Sequence, residues 1–304
     1  MSVLDALTGA ILPIFAAPAL GYAMGARGQV SAADAAAVNR IGLTVSVPPL
    51  LFGLIAQAPG SGFHAPLLAV WLGCTLALWA LGAALARFVF GRGARESLLL
   101  GMSAVFVNHV FFVLPIAEGL YGAAARPPIV AIVVVDSLAL FAAASVMLDI
   151  ARTGGAGLGR TLTAVFSNPV TLGVLAGLAV NLSGIELHKG VETFARFMGA
   201  AGAPMMLFAL GVTLSGFAAL RLDGAALSAV ALKIALHPLV FLLASAALPA
   251  ADPEARRLAI LTAAGPCGAM PFALALRYGA PTESIARAIV LSTLLSVGAL
   301  ALLA

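Results

Sequence analysis

Ten runs of about 20 apolar residues, each long enough to cross a bilayer as a helix, leave this chain few ways to fold. They lie near residues 6–24, 36–57, 66–88, 97–121, 128–150, 161–183, 195–218, 224–246, 256–278 and 283–303. The breaks include GARGQVSAAD, QAPGSGFHAP, FGRGARE, ARTGGAGLGR, LRLDG and PAADPEARR, short and rich in Gly, Pro and charge. Only 9% of the 304 residues are charged, against about a quarter in soluble domains. Water therefore cannot be the main solvent, and no stretch is polar enough for a separate soluble domain. The expected fold class is an all-α polytopic membrane protein with the lipid bilayer as its first partner.

Several function classes fall away on the same evidence. The two cysteines, Cys74 and Cys267, sit in apolar runs, so no disulfide framework is expected. The net charge of +4 comes without a basic cluster beyond three residues, which argues against nucleic acid. No HExxH, CxxC or GxSxG occurs and the four histidines are dispersed, so neither enzyme, cofactor nor metal is expected. Asp5 with no Lys or Arg before it marks the first run as a retained span rather than a signal peptide.

Loop charge predicts orientation. One set of alternate connections carries Arg27, Arg40, Arg87, Arg92, Arg95, Arg152, Arg160, Arg221, Arg277 and Arg287. The other carries Arg126, Lys189, Arg196, Arg256 and Arg257. The bias is seven against one in the first half, which places both termini on the non-cytoplasmic side of the plasma (inner) membrane.

The chain also repeats itself. A shift of 156 residues carries Pro13 onto Pro169, Gly21 onto Gly177, Pro48 onto Pro204, Leu51 onto Leu207, Phe52 onto Phe208 and Pro115 onto Pro271. One residue of slip then pairs Tyr121-Gly122 with Tyr278-Gly279, and Ile132-Val133 with Ile289-Val290. Repeats of 1–150 and 161–304 would hold five spans each. An odd number inverts one repeat relative to the other, the build of secondary transporters that alternate access about a midplane site.

In order and spacing, SNPVTLGVLAGL (167–178), APMMLFALGVTLSG (203–216), LKIALHPLV (232–240), GPCGAMPFALALRYG (265–279) and the Asn108…Pro115 pattern resemble the auxin efflux carrier family over nearly the whole chain. That family includes plant auxin carriers and bacterial carriers labelled malonate or malate transporters. The resemblance implies ten helices in two inverted five-helix repeats, an architecture like that of bile-acid symporters and sodium/proton antiporters. It implies a scaffold from 6–57 and 161–218, and a transport domain from 66–150 and 224–303 in which broken helices four and nine cross. It further implies a small organic anion as substrate, an elevator-type mechanism driven by a proton gradient or the membrane potential, and a homodimer; a sodium-coupled symporter or cation/proton antiporter of the same build, and a membrane sensor without transport, stand as alternatives. The bulky VFFVL before Pro115, where the family often has a glycine, and His109 after the asparagine are departures that bear on the substrate.

The chemistry concentrates where the ninth and fourth runs break. Gly265, Pro266, Cys267, Gly268 and Pro271 interrupt an apolar run, because proline has no N–H for the helix ladder and clashes with the preceding turn. Freed backbone groups in a bilayer must find partners, and half-helix N-termini attract anions. A healed proline kink is the plain alternative. Asn108 offers donors and an acceptor to a substrate or to a neighbouring helix; His109, on another face, suits packing or protonation. Lys233 and Asp136 are the charges well inside spans, and His237 shares a helix face with Lys233. They are candidates for proton coupling, with snorkelling of Lys233 as the alternative. Ser46 in the second helix would face the transport domain in the family arrangement.

Overall fold

The computed structural model describes residues 12–58, 63–155, 157–216, 223–248 and 252–303. The start of the first apolar run (6–11) and Arg221 lie outside the described residues. Every named element is a helix. In chain order they are α1 (Leu12–Ala26), α2 (Ala32–Ala56), α3 (Ala65–Val89), α4 (Ala94–Ser103), α5 (109–121), α6 (126–153), α7 (Leu158–Phe166), α8 (Pro169–Ser183), α9 (Lys189–Ala200), α10 (Gly202–Ser215), α11 (Gly224–Ala246), α12 (Pro253–Ala263), α13 (Met270–Tyr278) and α14 (Glu283–Leu303). Among the described residues, six helical stretches are long and apolar enough to cross a membrane, or up to seven if the bent pair α7–α8 is one span. Phe88, Phe197 and Leu243 are 83%, 75% and 65% exposed. Large exposed apolar side chains of this kind belong against hydrocarbon rather than water.

Local sequence explains the ends. Ser31 and Asp34 form a reciprocal capping box at the start of α2. The 161–183 run, a single span by hydropathy, is instead bent by 63°. Pro169 cannot donate back into α7, and Asn168 caps α8 by accepting from the Val170 N–H at 2.9 Å. Among the described residues, five stretches are wound as π-turns: Gly42–Ser46, Leu85–Val89, His109–Val113, Asp136–Leu140 and Leu232–Leu236. Such turns are rare and frequently mark functional sites.

The chain packs as two compact units. The first gathers residues 1–62, 110–134 and 166–219; the second gathers 63–109, 135–165 and 220–304. Within the first unit α1 lies along α10, while α8 and α9 lie on the second half of α2. Glycine makes both close approaches possible. A Cβ on Gly21 would fall 2.0 Å from the Phe208 carbonyl oxygen, and one on Gly177 would fall 2.9 Å from that of Phe52. The 156-residue shift that pairs Gly21 with Gly177 and Phe52 with Phe208 therefore turns one contact into the other. Asn181 Nδ2 closes the end of α2 by donating to the Ile55 and Ala58 carbonyls at 3.0 and 2.5 Å. In the second unit α4 packs on α3, α13, α14 and the last part of α6, and α11 packs on α3, α12 and α14. Arg92 and Arg287 reach the Asp223 carboxylate at 2.7 and 3.8 Å, fixing the turn into α11.

Candidate functional site

Within the second unit, two broken helices meet at their breaks. Helix α4 ends at Ser103 and α12 at Ala263, and the segments that follow each run extended past the other. Val107 and Cys267 form an isolated antiparallel bridge. The Asn108 N–H donates to the Pro266 carbonyl and the Gly268 N–H to the Phe106 carbonyl, both at 2.9 Å. The Cys267 N–H donates to Ser292 Oγ at 3.0 Å. Each break thus satisfies the other, as the absence of water inside a bilayer demands.

This geometry reassigns the glycine at 268. A Cβ there would lie 3.0 Å from the Val107 carbonyl oxygen and 2.9 Å from the Phe106 ring. The residue is small because two backbones touch, and its N–H is already engaged. The free donors lie one step on. The first turn of α13 has no intrahelical partners for the N–H groups of Ala269, Met270 and Phe272, and Pro271 has none to satisfy.

Three of the last carbonyls of α12 have partners outside that helix. Those of Ile260 and Thr262 accept from the N–H groups of Ala264 and Gly265 at 3.1 and 3.0 Å. That of Ala263 accepts from Lys233 Nζ at 2.6 Å. Lys233 is fully buried, so the snorkelling alternative does not apply. Its Nζ lies 3.3 Å from His237 Nδ1, and His237 Nε2 lies 3.4 Å from Thr75 Oγ1. With the lysine donating to Nδ1, the ring proton sits on Nε2 and points at Thr75.

A second buried group adjoins it. Trp71 Nε1 donates to Asp136 Oδ1 at 2.9 Å. His109 Nε2 stands 2.9 Å from Asp136 Oδ2, an ion-pair distance off the direction of a good hydrogen bond. The Trp71 and His237 rings lie 5.1 Å apart and tie the two groups together. Asp136 and Lys233 make no direct ion pair among the described residues, yet the carboxylate is near enough to act on the lysine electrostatically.

Of the residues singled out in the sequence, Asn108, His109, Asp136, Lys233, His237 and the 265–271 stretch all belong to the second unit; Ser46 and Pro115 belong to the first. Ser46 packs beside Gly202, where an added Cβ would be 3.2 Å from its own. Ser46, His109, Asp136 and Lys233 each lie on one of the π-turns. Sequence reasoning passed over Trp71, Thr75 and Ser292. A face carrying Trp71, Thr75 and Trp79 at four-residue spacing was the available signal, since indole and hydroxyl groups in a bilayer need partners.

Comparison with known proteins decides the family. A family described as "Membrane transport protein" matches residues 6–159 and 158–304, nearly the whole chain. The chain belongs to that family. It is 27% identical over 299 residues to a Rhizobium meliloti (strain 1021) protein provisionally named a malonate transporter, covering 96% of this chain and 92% of that one. It is 25% identical over 305 residues to an uncharacterized transporter of Methanothermobacter thermautotrophicus, covering 97% and 96%. Membership in a membrane transport family together with several apolar helices makes this a multi-pass membrane protein.

Proposed function

We propose that this membrane transport protein is a secondary carrier of small carboxylates working by alternating access. The observation that carries this reading is the paired break of α4 and α12. It buries extended backbone in a membrane protein, pairs Asn108 with Pro266 a few residues ahead of the first turn of α13, and has Lys233 on the carbonyl end of α12. Irregular backbone at membrane depth is tolerated where it lines a cavity or a pathway. Partial positive charge at a half-helix N-terminus suits a carboxylate, and the half-buried Asn108 adds donors for a second oxygen. The malonate name of the Rhizobium relative supports a short dicarboxylate.

The finer arrangement belongs to the same proposal: ten spans in two inverted repeats, a transport domain (66–150, 224–303) moving as an elevator along a scaffold (6–57, 161–218), and a homodimer in the inner membrane. The exchange of the Gly21–Phe208 and Gly177–Phe52 contacts under one sequence shift supports the internal two-fold relation. Proteoliposomes loaded against a panel of mono- and dicarboxylates test the function. Malonate or malate uptake responding to an imposed proton gradient or membrane potential is expected. No uptake of any carboxylate under either gradient would sink the reading.

Orientation has its own test, motivated by the arginine bias. Ala124 and Gly93 are both exposed, and Cys74 and Cys267 are buried. An impermeant maleimide added to intact cells should label Ala124→Cys and spare Gly93→Cys until the membrane is opened. The reverse pattern would turn the protein over.

A further inference from the structure

A broken membrane helix leaves two ends of opposite character. The N-terminal end of α13 presents N–H groups, and the C-terminal end of α12 presents carbonyls. In transporters built on discontinuous helices, carbonyl ends of this kind are where a coupling Na⁺ binds. In this protein the position is taken. Lys233 Nζ donates to the Ala263 carbonyl at 2.6 Å, is fully buried, and has His237 Nδ1 as a second neighbour at 3.3 Å. The charged and titratable groups around it are Asp136 and Cys267, which act on it electrostatically, and His109, which acts on His237.

We infer that Lys233 is a built-in cation: its ammonium occupies the cation position at the carbonyl end of α12, so the protein binds no coupling Na⁺ there. Three observations converge. Lys233 sits on the Leu232–Leu236 π-turn of α11, which packs against α12 and re-aims the side chain relative to a regular helix. The ammonium ends on the Ala263 carbonyl, on which no break N–H is spent, and a positive charge there also meets the negative end of the helix dipole. Asp136 is buried in the same cluster, accepting from Trp71, whose ring lies 5.1 Å from that of His237, so an acidic group stands close to the lysine's surroundings. Removing the lysine leaves the Ala263 carbonyl without its donor beside vacated space, and an oxygen ligand of this kind is what a hard monovalent cation takes.

The inference concerns coupling in the carrier proposed above, but its physical test needs no substrate, so it can fail or stand separately. The full-length protein is purified, and thermal midpoints are compared in NaCl and in N-methylglucamine chloride at equal ionic strength. Wild type should show the same midpoint in both. Lys233→Ala and Lys233→Ser should melt lower, and NaCl alone should restore part of the loss, because Na⁺ binds only the folded state. Lys233→Arg, which keeps the charge, should remain indifferent to Na⁺. A specific rise of the wild-type midpoint in NaCl would overturn the inference, and the wild-type measurement decides this whether or not the variants fold. Folded Lys233→Ala and Lys233→Ser that ignore Na⁺ would overturn it as well.

Discussion

Replacing Gly268 with alanine should cut transport by about tenfold or more, while the protein still inserts and melts as a folded species. The added Cβ would stand 3.0 Å from the Val107 carbonyl oxygen and 2.9 Å from the Phe106 ring. A phenyl edge can move aside; a backbone oxygen held in a paired bridge cannot do so cheaply. Overpacking of this kind costs about 1–3 kcal/mol, and each 1.4 kcal/mol is about tenfold in a population. The expense falls on the bridge that holds Asn108 in place, not on the helices far from it. Aspartate at the same position should be worse, since it adds a buried carboxylate beside the donors of α13 to the same steric fault. The comparison separates two ideas. If Gly268 matters only because negative charge repels a bound anion, alanine would transport normally and aspartate alone would fail. Normal uptake by Gly268→Ala would show that the contact between breaks does not govern transport.

The helical class was legible because composition leaves no other solvent than lipid, and lipid leaves no other backbone state than one with its hydrogen bonds made. The broken stretch was legible for the same reason, since Pro266 and Pro271 cannot sit in an unbroken ladder. The partners of the freed groups were not legible. That Asn108 pairs with Pro266 and Gly268 with Phe106 is a long-range choice between segments about 160 residues apart, and no local preference encodes it. The π-turns were hidden too. Asp136–Leu140 and Leu232–Leu236 read as ordinary helix, and nothing in their local sequence marks the wider turn.

The buried charges show the same division. Asp136 and Lys233 stand out in an apolar chain, and pairing them with each other is the simplest guess from one-dimensional information. The structure gives each its own set of partners instead: Trp71 and His109 for the carboxylate, His237 and the Ala263 carbonyl for the ammonium. Trp71 was overlooked because indole is read first as apolar bulk. Its N–H is the part that counts here.

The Asp136 arrangement yields the second large effect. Asp136→Ala should destabilise the protein by about 1–3 kcal/mol, the usual cost of leaving a buried donor without its acceptor. The carboxylate is fully buried, and its loss would strand Trp71 Nε1 and remove the oxygen that stands beside His109 Nε2, with no water to replace it. Asp136→Asn should cost much less. Its side-chain oxygen can still accept from Trp71, and only the contact with His109 changes, from an acceptor facing the ring nitrogen to a donor. Because the amide cannot ionise, whatever share of the pH dependence of uptake arises from the Asp136–His109 contact should be altered in this variant. Detergent-solubilised protein would be melted for all three forms, and uptake would be measured from pH 5 to 8, roughly the range over which histidine titrates. Equal melting of Asp136→Ala and wild type would mean that Trp71 and His109 find other partners. A pH profile of Asp136→Asn that superimposes on that of wild type would remove this pair from any role in coupling, leaving Lys233 and His237 as the only buried ionisable pair on α11 still able to carry it.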